Sequence, residues 1–88
     1  MAEQNLIMTS RVIIDDMYDA MEYLNRHLDS MSFSEMHKMV TMIDGIEVLL
    51  KKYVTEETKD SVNTVFIYWS QLKIKTQRAL MNSRVCLA

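Results

Sequence analysis

The sequence predicts an all-α protein, a small antiparallel three-helix bundle, on three observations. Proline is absent from all 88 residues and glycine occurs once, and these two residues supply most turns and irregular loops. Apolar residues recur three and four apart along most of the chain, a spacing that puts them on one side of a helix. The period breaks at two short places, residues 30–34 and 54–55, and short links make consecutive helices antiparallel neighbours. A chain of this length makes one domain, 1–88.

The first helix is expected over about 10–29. Ile14, Met17, Met21, Leu24 and Leu28 are spaced 3-4-3-4, and Val12, Ile13 and Ala20 widen the stripe. Thr9 or Ser10 supplies an N-cap. The second helix is expected over 33–53, where Met36, Met39, Ile43, Ile46, Leu50 and Tyr53 follow 3-4-3-4-3. Ser32 with Glu35 fits a capping box at its start. Met42, Val48 and Leu49 broaden its apolar surface. Gly45 sits mid-helix, at a cost of about 1 kcal/mol relative to alanine. Either a neighbouring helix approaches closely there, or the glycine is merely tolerated.

The third helix is expected over 56–83, with Thr55 as N-cap and Glu56, Glu57 and Asp60 at the positive end of the helix dipole. Val62, Phe66, Trp69 and Leu80 lie near one another around it, with Val65, Leu72 and Ala79 beside them, and Trp69 reads as a core anchor. Ile67, Ile74 and Met81 form a separate line at spacing seven. A helix on the surface of a monomer needs one apolar stripe. Two stripes predict cover from two directions, hence a homodimer or higher homo-oligomer. Residues 1–8 and 84–88 are expected to fray or to dock on a partner.

Composition sharpens this. About half the residues are apolar and nine are Met, whereas a domain this small buries only about 60–65% of its unfolded surface. Met adapts to irregular surfaces, so part of this excess is expected to face another molecule. The lone cysteine, Cys86, makes no internal disulfide. No Lys or Arg precedes the apolar patch Leu6–Met8, so the N-terminus does not read as a signal peptide, and no apolar run has the length of a membrane span. A soluble protein of the cytoplasm is the expectation. Charge is uneven. All twelve acids and six of the ten basic residues lie in 1–60, a balance of −6, whereas 61–88 holds Lys73, Lys75, Arg78 and Arg84 and no acid.

No catalytic, metal or cofactor site is expected. His27 and His37 are ten residues apart and belong to no ligand motif. Cys86 has no neighbouring base, and no serine occupies a nucleophile elbow. Asp15, Asp19 and Glu22 line one helix face. As a catalytic pair, Asp15 and Asp19 would need a cleft that splits their pKa values, and nothing in the sequence points to one. They read instead as a solvated face or an acidic docking ridge. Thr64, Tyr68, Gln71, Lys75, Arg78 and Asn82, spaced 4-3-4-3-4, form a polar face without acids. Its cations suit phosphates and its Tyr suits base stacking.

The leading expectation is a non-enzymatic interaction protein that modulates a protein partner. Ile67, Ile74 and Met81 would form its interface, and the ridge Asp15, Asp19 and Glu22 would meet a basic partner. The alternative is nucleic-acid or nucleotide binding through Tyr68, Gln71, Lys75, Arg78 and Asn82. Small size, high Met content and the lack of catalytic apparatus make the chain similar in style to the short accessory or inhibitor proteins that phages encode, which would place it in a host cytoplasm. No motif carries that likeness, and it assigns no residue a role.

Overall fold

The computed structural model describes residues 2–87, with side-chain surroundings for 5–82. The fold is all-helical, with no strand among the described residues. Helix α1 spans Ala2–His27, followed by one turn of 3-10 helix at Leu28–Ser30. Helix α2 spans Phe33–Tyr53, and α3 spans Lys59–Leu87.

Helix α2 has the bounds its periodicity predicts. Ser32 caps it: its Oγ accepts from the Glu35 N–H at 3.2 Å and donates to Glu35 Oε1 at 3.2 Å. The Glu35 carboxylate thus takes the Ser32 hydroxyl, rather than the Ser32 backbone N–H of a standard capping box.

Helix α1 departs from expectation at both ends. It begins at Ala2 instead of Ser10, and its last residues, 28–30, tighten to 3-10 geometry. Ser10 is no cap, because it is fully buried in mid-helix and donates its hydroxyl to Thr58 Oγ1 at 2.9 Å. With that hydroxyl engaged, the helix runs back through 2–9. Met1 lies outside the described residues.

Regular α3 starts at Lys59, three residues later than predicted. Residues 56–58 form a turn instead, in which the Thr58 N–H reaches the Thr55 carbonyl at 3.2 Å, an i to i+3 bond. Thr55 nonetheless caps as expected: its Oγ1 accepts from the Thr58 N–H at 3.3 Å, and Thr58 Oγ1 accepts from the Thr55 N–H at 3.0 Å. This is a capping-box exchange with Thr in the place of Glu. At its other end the helix continues to Leu87, beyond the predicted stop at 83; Ala88 lies outside the described residues.

Helices α1 and α3 run parallel. Ser10 meets Thr58, Tyr18 meets Tyr68 and Asn25 meets Lys75, so partners advance together. Helix α2 runs antiparallel to α3, since Asp44 meets Trp69 and Lys73 while Lys51 meets Phe66. This is the up-down-up order. The register staggers the helices. Residue 27, the last of α1, lies level with about residue 77, so α3 projects past it. The chain measures 55 × 19 × 17 Å, longer than the ~43 Å of α3 itself. Its radius of gyration is 14.8 Å, against roughly 12 Å for a rounder domain of this length.

The core is formed by Ile13, Ile14, Met17, Met21, Leu24 and Leu28 of the first helical segment, Met36, Ile43 and Leu50 of α2, and Val62, Val65, Trp69 and Leu72 of α3. Val12 is exposed and does not widen it as expected, while Met42, Val48 and Leu49, which broaden the apolar surface of α2 outside its core line, are exposed as well. Thr76 is buried too, its hydroxyl satisfied by the Leu72 carbonyl at 2.9 Å.

Gly45 is not a close-approach site: a Cβ built there meets no atom within 4 Å. Gly45→Ala is therefore expected to stabilise the fold by about 0.5–1 kcal/mol, through reduced unfolded-state entropy and better helix propensity. Thermal unfolding should rise by roughly 2–8 °C. A lowered midpoint would mean that the outer side of α2 is covered at Gly45.

Candidate functional site

Helix α3 presents three sides. Val62, Val65, Trp69, Leu72 and Thr76 are buried against α1 and α2. Trp69 is fixed in this row because its Nε1 donates to Asp44 Oδ1 at 3.0 Å, while Lys73 Nζ pairs with the same oxygen at 2.9 Å and lies 5.9 Å from the indole centroid. Trp69 is thus the core anchor its position predicts. Asp44, which holds it, lies 25 residues away on another helix, and no local sequence pattern marks that pairing.

Ile67 and Ile74 each follow a buried residue, Val65 and Leu72, by two positions, about 200° around the helix. They therefore point away from the core. Ile67, Ile74 and Met81 are 61%, 54% and 67% exposed, so the second predicted stripe is present and the monomer leaves it uncovered. It continues at one end into an open groove of about 320 Å³ lined by Phe33, Gln77, Leu80 and Met81. Asn63, Ser70 and Gln77 lie along the same side, so Arg78 at its margin is the nearest charge.

The polar side of α3 comes together with α1. Tyr68, Gln71 and Lys75, with Leu72 and Asn25, line a groove of about 180 Å³. Lys75 Nζ reaches Asn25 Oδ1 at 3.4 Å, and the Tyr68 ring meets the Tyr18 ring edge-on at 6.2 Å between centroids. Arg78 and Asn82 are exposed further along α3. Asn25 and Tyr18 could not be assigned to this groove from sequence, because their place depends on the register of α1 against α3. Glu22 is four residues after Tyr18 and three before Asn25, on the same stripe of α1. Its carboxylate is exposed, does not line the groove, and is held by Arg26 at 3.5 Å.

On α1, Asp15, Asp19 and Glu22 are all exposed. The ridge is real, and it carries Met8, Val12 and Tyr23 beside its acids, all three exposed. A groove of about 450 Å³ is lined by Ile7, Met8, Arg11 and Glu57 near the start of α1. Among the described residues no three His, Cys, Asp or Glu side chains converge as metal ligands. His27 packs against Tyr23 with centroids 4.5 Å apart, and His37 stacks near Phe33 at 6.4 Å, each one helical turn along its own backbone. No described helix is long and apolar enough to cross a membrane.

The three sides of α3 thus offer a filled core, an uncovered apolar stripe and a small polar groove, with an acidic ridge on α1. No protein-family model matches the chain, and no curated protein or solved structure matches it at a significant level.

Proposed function

We propose that this chain is a non-enzymatic interaction protein, an accessory or inhibitor protein that binds a partner protein and alters its activity, itself assembled as a homodimer or higher oligomer. The observation that carries this reading is the exposure of Ile67, Ile74 and Met81 in one line on the outer side of α3. Covering such side chains contributes about 1.5–3 kcal/mol each, less the cost of ordering the complex. The acidic ridge Asp15, Asp19 and Glu22 favours a basic partner surface and speeds encounter more than it adds affinity. The reading places the protein in a cytoplasm, that of a host if a phage encodes it.

A second reading, nucleic-acid or nucleotide binding, is favoured by the groove that gathers Tyr68, Gln71 and Lys75. Glu22 on the bordering stripe of α1 counts against it, because a carboxylate there repels phosphate. Few cations are available, whereas tight DNA binders use about 6–10 phosphate contacts.

The test is capture of partners from the native host by wild type, Ile74→Asp and the double variant Lys75→Glu with Arg78→Glu, at low and high salt, with bound protein and nucleic acid both identified. Capture of one defined protein that persists in high salt, falls at least about tenfold with Ile74→Asp and ignores the double variant supports the first reading. Capture of nucleic acid that collapses with salt and with the double variant supports the second.

A further inference from the structure

We infer that the stripe Ile67, Ile74 and Met81 of one copy docks in the open furrow between α1 and α2 of a second copy, so that copies add head to tail. This rests on the proposed reading of the stripe and the acidic ridge as contact surfaces, and it names what each of them meets.

The furrow is the first argument. Helices α1 and α2 leave a second uncovered apolar surface, on the side of the bundle away from α3. Tyr23 of α1 lines an open groove of about 200 Å³ there with Met31, Glu35, Lys38 and Met39. Val12 precedes Tyr23 by eleven residues, close to three full turns, so it lies on the same side of α1. Met42 and Leu49 follow Lys38 by four and eleven residues and share its side of α2. Val12, Tyr23, Met42 and Leu49 are all exposed. The furrow therefore has an apolar wall on each helix, above partly buried Ala20 and Ile46. A helix with one apolar stripe suits such a groove, and the outer side of α3 is that kind of helix.

Charge is the second argument, and it fixes the direction. One flank of the stripe carries Arg78 and, beyond it, Lys75. The other carries Asn63, Ser70 and Gln77, and Lys73 is turned to its own α2, where Asp44 holds it. The furrow is uneven in the same way. Its α1 rim carries Asp15, Asp16 and Asp19, and its α2 rim Lys38 and Lys52, all exposed. With the docked α3 parallel to the receiving α1, the right-handed winding of both puts the Arg78 flank over the α1 acids. Antiparallel docking would put it over Lys38 and Lys52. Residues 61–88 hold no acid, so the docked helix brings nothing that repels the α1 rim. A stripe paired with a second stripe about Ile74 would instead bring Lys73 and Lys75 of the copies together, and paired α1 ridges would set acid against acid.

Register is the third. One axial offset sets Ile67 level with Met8, Ile74 with Val12, Met81 with Tyr23 and Arg78 with Asp19, each to within about 3 Å. Within one copy Lys75 stands beside Asn25, so the docked copy is displaced along the axis by about ten residues, or 15 Å. A head-to-tail contact with such a displacement does not close on itself and grows an open chain.

Two blocked variants test this in the full chain under reducing conditions. Ile74→Asp spoils the stripe and leaves the furrow, whereas Leu49→Asp spoils the furrow and leaves the stripe. Both sites are exposed, so both variants should keep the wild-type circular dichroism spectrum. At about 100 μM, each variant alone should sediment as one chain. An equal mixture should show two chain masses and no more, because one intact stripe meets one intact furrow. The wild type should pass two chain masses at higher concentration. Arg78→Glu and Asp19→Arg should each weaken self-association at least about tenfold, and the double variant should recover most of the loss. This charge pair carries the test independently of either aspartate. A mixture that stays at one chain mass overturns the proposal. So does a wild type that stays a single chain or stops at two, or a double variant that recovers nothing. If the wild type is a single chain while Ile74→Asp still abolishes capture of a protein partner, the stripe belongs to that partner: this inference fails and the interaction reading stands. If the mixture pairs while capture finds only nucleic acid, the interaction reading fails and the head-to-tail contact stands.

Discussion

Trp69→Ala is expected to cost about 3–5 kcal/mol of stability, the largest effect of any single truncation in this fold. The indole is 1% exposed and sits in the row Val65, Trp69 and Leu72 that α3 places against the other two helices. Truncation leaves a cavity that a small three-helix bundle refills poorly, and it removes the donor that Asp44 accepts from at 3.0 Å. Small domains have total stabilities of about 5–15 kcal/mol, so this variant should unfold at far lower urea. Trp69→Phe keeps most of the apolar volume but gives up the indole N–H and part of the second ring, and should cost about 1–2 kcal/mol. Asp44 then still holds Lys73 at 2.9 Å. Chemical unfolding followed by circular dichroism measures both. A loss below about 1 kcal/mol for Trp69→Ala would mean that α3 is not anchored through this residue.

Thr58→Val should also be strongly damaging. The side chains are nearly the same size, but Thr58 Oγ1 accepts from the Ser10 hydroxyl at 2.9 Å and from the Thr55 N–H at 3.0 Å. Ser10 and Thr58 are both buried, so valine strands the Ser10 donor away from water. A buried group left unsatisfied costs about 1–3 kcal/mol, and lost capping at the start of α3 adds about 1 kcal/mol. Thr58→Ser keeps the hydroxyl and should cost about 1 kcal/mol or less, for the lost methyl. The double change Ser10→Ala with Thr58→Val removes both partners, so it should recover part of the loss. Equal unfolding midpoints for Thr58→Val and wild type would contradict this account of the α1–α3 junction.

These two residues also mark where the sequence was legible and where it was not. Helix α2 could be bounded because its signals are local: Ser32 and Glu35 at one end and an unbroken 3-4 pattern to Tyr53. Helix α1 could not, because Ser10 resembles a cap until its hydroxyl is seen to serve Thr58, 48 positions away. Gly45 was ambiguous for the same reason. A glycine that admits a neighbour and one that faces empty space read alike along the chain. Met42, Val48 and Leu49 fall outside the core line in the sequence, and packing leaves them exposed.

The candidate surfaces divide in the same way. The line Ile67, Ile74 and Met81 was visible as a period of seven, since a helix turns a fixed angle per residue. The groove of Asn25, Tyr68, Gln71 and Lys75 was half visible: its α3 members share a face, but Asn25 enters only through the α1–α3 register.

Sedimentation of the wild-type chain and of Ile74→Asp over a range of concentrations up to about 100 μM tests most directly whether the outer side of α3 is a contact surface. The wild type should pass from one chain mass toward two as concentration rises, and Ile74→Asp should remain a folded single chain whose unfolding midpoint matches the wild type at the dilute end of the range. A wild type that stays a folded single chain throughout, with a sedimentation profile identical to that of Ile74→Asp, would contradict the account.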